Sequence, residues 1–183
     1  PELSRSLVRD PSGKRASGLV RSILTFQIIV ILPLCLGAIV FARPLISHVL
    51  SEFDDPAVLA EAARLFRLFI NYLLLVSVSA VLMGVLNAHH RFFVPAFAPI
   101  LFSVAVIAAI FVASGVLDIY AVALGVLAGG TLQLVFQIPL FKRLGYGFAP
   151  RRFTTDPAFR RVLRMWLPVL ATSSLFTITH QIA

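Results

Sequence analysis

Five stretches of 19 to 26 residues without Asp, Glu, Lys or Arg restrict the fold of this chain more than any other feature. They cover residues 22–42, 68–88, 92–117, 119–141 and 165–183. A helix needs about 20 apolar residues to cross the hydrocarbon core of a membrane, and no stretch alternates apolar with polar residues as barrel strands do. We therefore expect an all-α fold, a polytopic helical membrane protein with five transmembrane helices.

The composition excludes the main soluble alternatives. Hydrophobic residues make up 59% of the chain and charged residues only 13%, whereas a soluble domain has about a quarter charged residues. A soluble enzyme is therefore not expected. The net charge of +8 would suit nucleic acid only if the basic residues lay on a soluble face. They cluster between the apolar stretches instead, so we expect no nucleic-acid partner.

The distribution of basic residues predicts the orientation in the membrane. Residues 1–21, 89–91 and 142–164 together hold thirteen Lys and Arg, and the connections on the opposite side hold three, namely Arg43, Arg64 and Arg67. Positive charge concentrates on the cytoplasmic side of membrane proteins. The sequence therefore places residues 1–21, 89–91 and 142–164 in the cytoplasm of a multi-pass protein.

Two connections carry helix start signals, and the chain ends carry none. Asp55-Pro56 and Asp156-Pro157 each combine an N-cap acceptor with proline at the first helical position, which predicts amphipathic helices within both connections. Arg160, Arg161 and Arg164 share a face of the second, as suits contact with anionic phospholipids or simple topology anchoring. The chain starts at Pro1 and stops inside an apolar run, so we interpret it as truncated at both ends.

The sequence has no recognisable enzyme signature, and we expect no metal and no cofactor. Asp54 and Asp55 could hold a divalent cation as neighbouring carboxylates, but Asp55 before Pro56 is more simply a helix cap. Gly125, Gly129 and Gly130 form a face of small residues in the fourth span. Such faces let membrane helices approach closely, and we interpret this one as a packing surface.

Polar residues within the spans are the candidate site residues, because they are costly in a membrane. Ser173, Thr177, His180 and Gln181 share one face of the last span, where they would line a water-filled cavity or hydrogen-bond neighbouring helices. Spacing alone leaves both interpretations open. Asn87 and Arg91, four residues apart at the cytoplasmic end of the second span, would hold an inner gate. Alternatively, Arg91 extends to the headgroups and sets topology.

Several motifs resemble one family in order and spacing. They are Gly84 to Pro99 (GVLNAHHRFFVPAFAP), Gly125 to Gln133 (GVLAGGTLQ) followed by Gln137-Ile138-Pro139, Lys142 to Gly145 (KRLG) and Asp156 to Pro168 (DPAFRRVLRMWLP). Together they resemble the MviN/MurJ family, the lipid II flippases of the MATE-like exporter superfamily. The resemblance extends over the whole chain.

The resemblance implies a fold, a division into lobes and a function. The five spans would be the third to seventh helices of a two-lobe transporter. Residues 1–145 would belong to the N-terminal lobe, 146–164 to a cytoplasmic amphipathic connection, and 165–183 to the first helix of the C-terminal lobe. The implied activity is alternating-access transport of the undecaprenyl-pyrophosphate-linked peptidoglycan precursor, lipid II, across the bacterial cytoplasmic membrane. The principal cavity arginines of the family lie on helices outside this chain, so the missing helices would be partners of this part.

Three other functions stay open at this point. An exporter of O-antigen or another polysaccharide-linked lipid belongs to the same superfamily, and physical reasoning does not separate it from a lipid II flippase. An integral-membrane enzyme acting on lipid-linked sugars would need a catalytic carboxylate pair or histidine cluster, which the spans lack. A scaffold with the same fold and no transport would lack the cavity arginines.

Overall fold

The computed structural model describes residues 14–49, 55–151 and 159–160, and every regular element in that part is a helix. The helices are α1 (Lys14–Val40), α2 (Ala42–Val49), α3 (Pro56–Ala88), α4 (Phe93–Leu117) and α5 (Ile119–Arg143). Of these, α1, α3, α4 and α5 are long and apolar enough to cross a membrane. The all-α, multi-pass class is confirmed, and the predicted span at 165–183 lies outside the described residues.

The beginning of α3 confirms the predicted cap and corrects the predicted extent. The Asp55 carboxylate accepts a hydrogen bond of 2.8 Å from the backbone N–H of Ala57, and Pro56 occupies the first helical position. The amphipathic stretch after Pro56 is not a separate helix, because no glycine or proline interrupts the chain before Gly84. It continues directly into the span, and α3 reaches 33 residues, or about 50 Å at 1.5 Å per residue.

Two further differences from the expected helices concern the start of α1 and the connection that follows α1. α1 begins at Lys14 rather than at residue 22, so its first turns carry charge and only the later ones are apolar. The connection after α1 contains the short helix α2, which the sequence analysis did not predict. The last residue of α3 and both ends of α4 and α5 lie within two residues of the predicted span ends.

The chain divides into two compact units, and the predicted lobe division stays a prediction. The larger unit comprises residues 26–147, and the described part of the smaller unit comprises residues 14–25, 148–151 and 159–160. In the smaller unit, Phe159 and Arg160 are helical; Phe159 is buried and Arg160 is exposed. These two residues agree with the predicted amphipathic helix, whose other residues lie outside the described part.

Packing in the larger unit centres on α5, whose glycines contact two neighbouring helices. A Cβ on Gly129 would lie 2.9 Å from the backbone oxygen of Phe102 in α4, and one on Gly130 would lie 2.7 Å from the ring of Tyr72 in α3. Backbones can approach this closely only where side chains are absent. The predicted packing role of the glycine face is therefore confirmed. The outer face of α4 carries apolar side chains such as Phe111 and Val112, each 84% exposed, as suits contact with lipid tails.

Candidate functional site

Asn87 and Arg91 lie at the end of α3 but do not share a helical face. α3 ends at Ala88, and the backbone of His90 adopts a left-handed conformation with φ of 57°. The chain turns back so that the Arg91 N–H donates to the Leu86 carbonyl at 2.9 Å. Both side chains are exposed, and within the described ranges neither makes a hydrogen bond or ion pair. Their proposed gate role therefore stays a prediction.

A hydrogen-bonded pair that the sequence analysis missed joins this turn to the segment after α5. His89 Nε2 lies 2.8 Å from the hydroxyl of Tyr146, and the two rings meet edge to face. Gly145, with φ of +82°, turns the chain after α5 so that Tyr146 packs on Phe141, with ring centroids 5.4 Å apart. Residues 89–91 and 142–147 therefore lie at the same end of the larger unit, as the charge count predicts.

The surroundings of the pair determine which group donates. Burial lowers the pKa of His89, and the positive charges of Arg91 and His90 lower it further. Burial also raises the pKa of Tyr146. At neutral pH the imidazole is therefore neutral and the phenol protonated, so the Tyr146 hydroxyl donates to His89 Nε2.

This end of the larger unit is basic and the opposite end holds the acids. Arg91, Lys142 and Arg143 are all exposed at the end that carries the His89 and Tyr146 pair. The carboxylates in the described part of the unit lie at the start of α3 and between α4 and α5, at the opposite end; they are Asp55, Glu61 and Asp118. An electropositive rim at one end attracts phosphate groups.

Between the two ends, a buried polar cluster connects α3 to α5. Gln133 Nε2 donates to Ser79 Oγ at 3.0 Å, and Gln137 Nε2 donates to the same oxygen at 2.6 Å and to the Gln133 carbonyl at 3.0 Å. We call these three residues the polar seam. Ser79 and Gln137 are fully buried, and the Gln137 Oε1 atom has no hydrogen-bond partner. None of the three side chains can ionise, so the seam fixes helix packing and performs no acid–base chemistry.

The sequence analysis did not predict the polar seam. Gln133 and Gln137 are four residues apart on α5 and so share a face, which was the available signal for a polar contact. The serine that they contact is 54 residues from Gln133, so the pairing depends on how α3 and α5 pack. The other predicted site, the face of Ser173, Thr177, His180 and Gln181, lies outside the described residues.

Comparison with known proteins identifies the family. A family model described as lipid II flippase MurJ matches residues 1–183. A probable lipid II flippase of Borreliella burgdorferi is 31% identical over 175 residues, which cover 96% of this chain and 34% of that protein. The lipid II flippase of Burkholderia cenocepacia is 37% identical over 113 residues, covering 58% of this chain and 22% of that protein. The chain thus spans about a third or less of the length of these relatives, and it belongs to the MurJ lipid II flippase family.

Proposed function

We propose that the protein containing this chain moves lipid II across the bacterial cytoplasmic membrane as a transporter and not as an enzyme. The family match over residues 1–183 carries this proposal, and the four spanning helices and the basic end of the larger unit support it. Basic side chains at a membrane surface attract the pyrophosphate of such a substrate. Alternating access then requires residues 1–145, assigned to the N-terminal lobe, to move as a packed body against the C-terminal lobe.

Complementation of the full-length protein tests the substrate. The protein is expressed in cells depleted of their own lipid II flippase and, separately, in cells that lack their O-antigen exporter. Rescue of growth in the first strain, with lipid II reappearing on the outer leaflet, is the expected result. Rescue confined to the O-antigen strain would establish the polysaccharide exporter instead.

The proposed orientation places the basic end of the larger unit in the cytoplasm. Its support is the count of thirteen basic residues on one side against three on the other. Single cysteines are introduced into the full-length protein after Cys35 has been replaced by serine. In intact cells an impermeant thiol reagent should label a cysteine at Asp54 and spare those at Ser12 and Thr155. The reverse pattern would invert the topology.

We propose that Asn87 and Arg91 contribute to the inner gate through contacts with groups beyond the described residues. Both side chains are exposed at the basic end, where such contacts are accessible. Arg91→Lys keeps the charge but loses the forked hydrogen-bond geometry of the guanidinium. Transport by the full-length variant should fall if Arg91 forms a gate. Wild-type transport would leave only the interaction with lipid headgroups.

We propose that Ser173, Thr177, His180 and Gln181 line the transport cavity. Four polar side chains on one face of a span need many partners in a dry contact, whereas cavity water satisfies them together. Cysteines at Thr177 and His180 in the full-length protein should react with a water-soluble reagent, and substrate should protect them. Controls at Leu175 and Ile178 should stay unreacted. Equal, negligible reaction at all four positions would mean that the face is packed.

A further inference from the structure

One face of α1 in the smaller unit carries an unusual arrangement of two arginines. Gly18, Arg21 and Thr25 are spaced by three and four residues, so they share a face of the helix. The backbone N–H of Arg151 donates to Thr25 Oγ1 at 3.0 Å. The guanidinium of the same residue lies against Gly18, where an added Cβ would be 2.8 Å from Cζ. The Arg151 side chain therefore runs along this face from Thr25 towards Gly18.

Gly18 makes this close approach possible. Any side chain at this position would collide with the Arg151 guanidinium, so the arginine occupies the space of the missing Cβ. The Thr25 hydroxyl donates to the Arg21 carbonyl at 2.8 Å while it accepts from Arg151. Thr25 thus holds the backbone of Arg151, and Gly18 leaves space for its guanidinium.

Arg21 lies between these two anchor points on the half-buried part of the face, and one N–H of its guanidinium lacks a partner. Its Nε atom is buried and has no hydrogen-bond partner, although a buried charged donor without an acceptor carries a large desolvation cost. The Thr25 oxygen accepts the backbone N–H of Arg151 and forms no hydrogen bond with Arg21 Nε. In the described part of the chain all carboxylates belong to the larger unit. Two cations therefore share this face without a described counter-ion.

We propose that Arg21 and Arg151 form a binding site for a phosphate group on the Gly18 face of α1. Guanidinium groups present forked N–H donors that match the oxygens of phosphate, and an anion bound on this face would satisfy the buried Nε and supply a counter-charge. The charge count places the start of α1 on the cytoplasmic side, at headgroup depth, where phosphate is the abundant oxyanion. The group comes from a phospholipid headgroup or from free phosphate. The proposal does not depend on the transported substrate.

Inorganic phosphate is the probe for the first experiment, which uses the full-length protein in detergent. Phosphate should raise the melting temperature saturably relative to chloride at equal ionic strength. Arg21→Gln and Arg151→Gln should weaken the apparent affinity about tenfold or more, as expected for lost charge-assisted hydrogen bonds. Gly18→Leu should weaken it similarly without changing any charge, because the leucine side chain displaces the Arg151 guanidinium. Arg43→Gln removes an exposed arginine on the side opposite the basic end; it is the matched control and should bind phosphate like the wild type.

A second arm distinguishes the source of the phosphate. Nanodiscs of phosphatidylcholine with and without phosphatidylglycerol are compared for the same variants. Stabilisation by phosphatidylglycerol that depends on Arg21, Arg151 and Gly18 identifies a lipid headgroup; dependence only on inorganic phosphate identifies the free ion. Arg21→Lys and Arg151→Lys guard against misfolding, since they retain charge and should bind several-fold more weakly.

The proposal has clear refuting outcomes. Stabilisation by phosphate and by phosphatidylglycerol could both be unchanged in the variants of Arg21, Arg151 and Gly18. In that case the arginines pair with carboxylates of their own chain and no phosphate site exists. If Arg43→Gln weakens binding as much as Arg21→Gln, the effect is general electrostatics and the proposed site is likewise wrong.

Discussion

Replacing Ser79 with alanine removes the acceptor at the centre of the polar seam. Ser79 Oγ accepts from both Gln133 and Gln137, at 3.0 and 2.6 Å. Gln137 Nε2 keeps the Gln133 carbonyl as an acceptor. In the described part of the chain Gln133 Nε2 has no other acceptor, and its residue is only 6% exposed. The substitution therefore leaves a buried donor unpaired.

The expected loss of unfolding free energy is about 2 kcal/mol. Hydrogen bonds between membrane helices contribute about 0.6 kcal/mol each on average, so the two lost bonds account for about 1.2 kcal/mol. An unpaired buried donor costs about 1 to 3 kcal/mol. Part of this penalty is already included in the energy of the lost bonds, so the total exceeds the energy of the bonds but is smaller than the sum of the two. Because α5 also packs through its glycines, the loss should weaken the contact between α3 and α5 without unfolding the whole unit.

The measurement is unfolding of the full-length protein in mixed micelles of increasing dodecyl sulfate content, followed by helical circular dichroism. Ser77→Ala is the matched control, because Ser77 Oγ donates only to the Leu74 carbonyl of its own helix at 2.9 Å. That variant should lose less than about 0.5 kcal/mol. Combining Ser79→Ala with Gln133→Leu should show a coupling of about 1 kcal/mol. If Ser79→Ala costs no more than Ser77→Ala, the seam does not stabilise the packing.

Three further predictions concern close packing and the basic end of the larger unit. Gly129→Ala should destabilise the full-length protein by about 1 to 3 kcal/mol, since its Cβ would meet the backbone of α4; Gly84→Ala, with open space around it, should stabilise by up to about 1 kcal/mol. Tyr146→Phe should cost about 1 kcal/mol in the same unfolding assay at pH 7.5, and an unchanged stability would discount the hydrogen bond. The lowered pKa of His89 means that the unfolded chain takes up a proton first, near its ordinary pKa of 6.5, so wild-type stability should fall as the pH drops below about 6.5. His89→Gln should flatten that fall, and an identical pH profile would contradict the argument.

The helix ends show which boundaries a charge pattern can predict. Charged side chains mark where a segment leaves the hydrocarbon core, and this criterion found the ends of α4 and α5 within two residues. A helix can continue past that point, because backbone hydrogen bonds form equally well in the headgroup region. α3 therefore begins at its cap, Asp55, well before the apolar run, and α1 includes Arg21 among its first turns.

The contacts at the site depend on backbone turns and on helix packing, which spacing does not reveal. The spacing of Gly125 and Gly129 predicted a close approach, and it could not identify Phe102 as the neighbour. The pair of His89 and Tyr146 depends on two residues with a left-handed backbone: His90, which follows His89, and Gly145, which precedes Tyr146. Histidine is enriched among the few non-glycine residues that adopt this conformation, but most histidines do not, so local propensity alone does not predict the turn.

The distribution of ionisable groups limits where a change of charge can act on the larger unit. The polar seam consists of a serine and two glutamines, so its hydrogen bonds do not respond to pH, and the glycine contacts between α4 and α5 do not either. His89 can ionise, with a pKa that burial lowers below its ordinary value, and it lies at the basic end, bonded to Tyr146. Protonation there adds a charge beside Arg91 and removes the acceptor that the Tyr146 hydroxyl uses. Protonation of His89 therefore acts on the connection that leaves α5, while the hydrogen bonds of the polar seam and the glycine contacts of α5 persist.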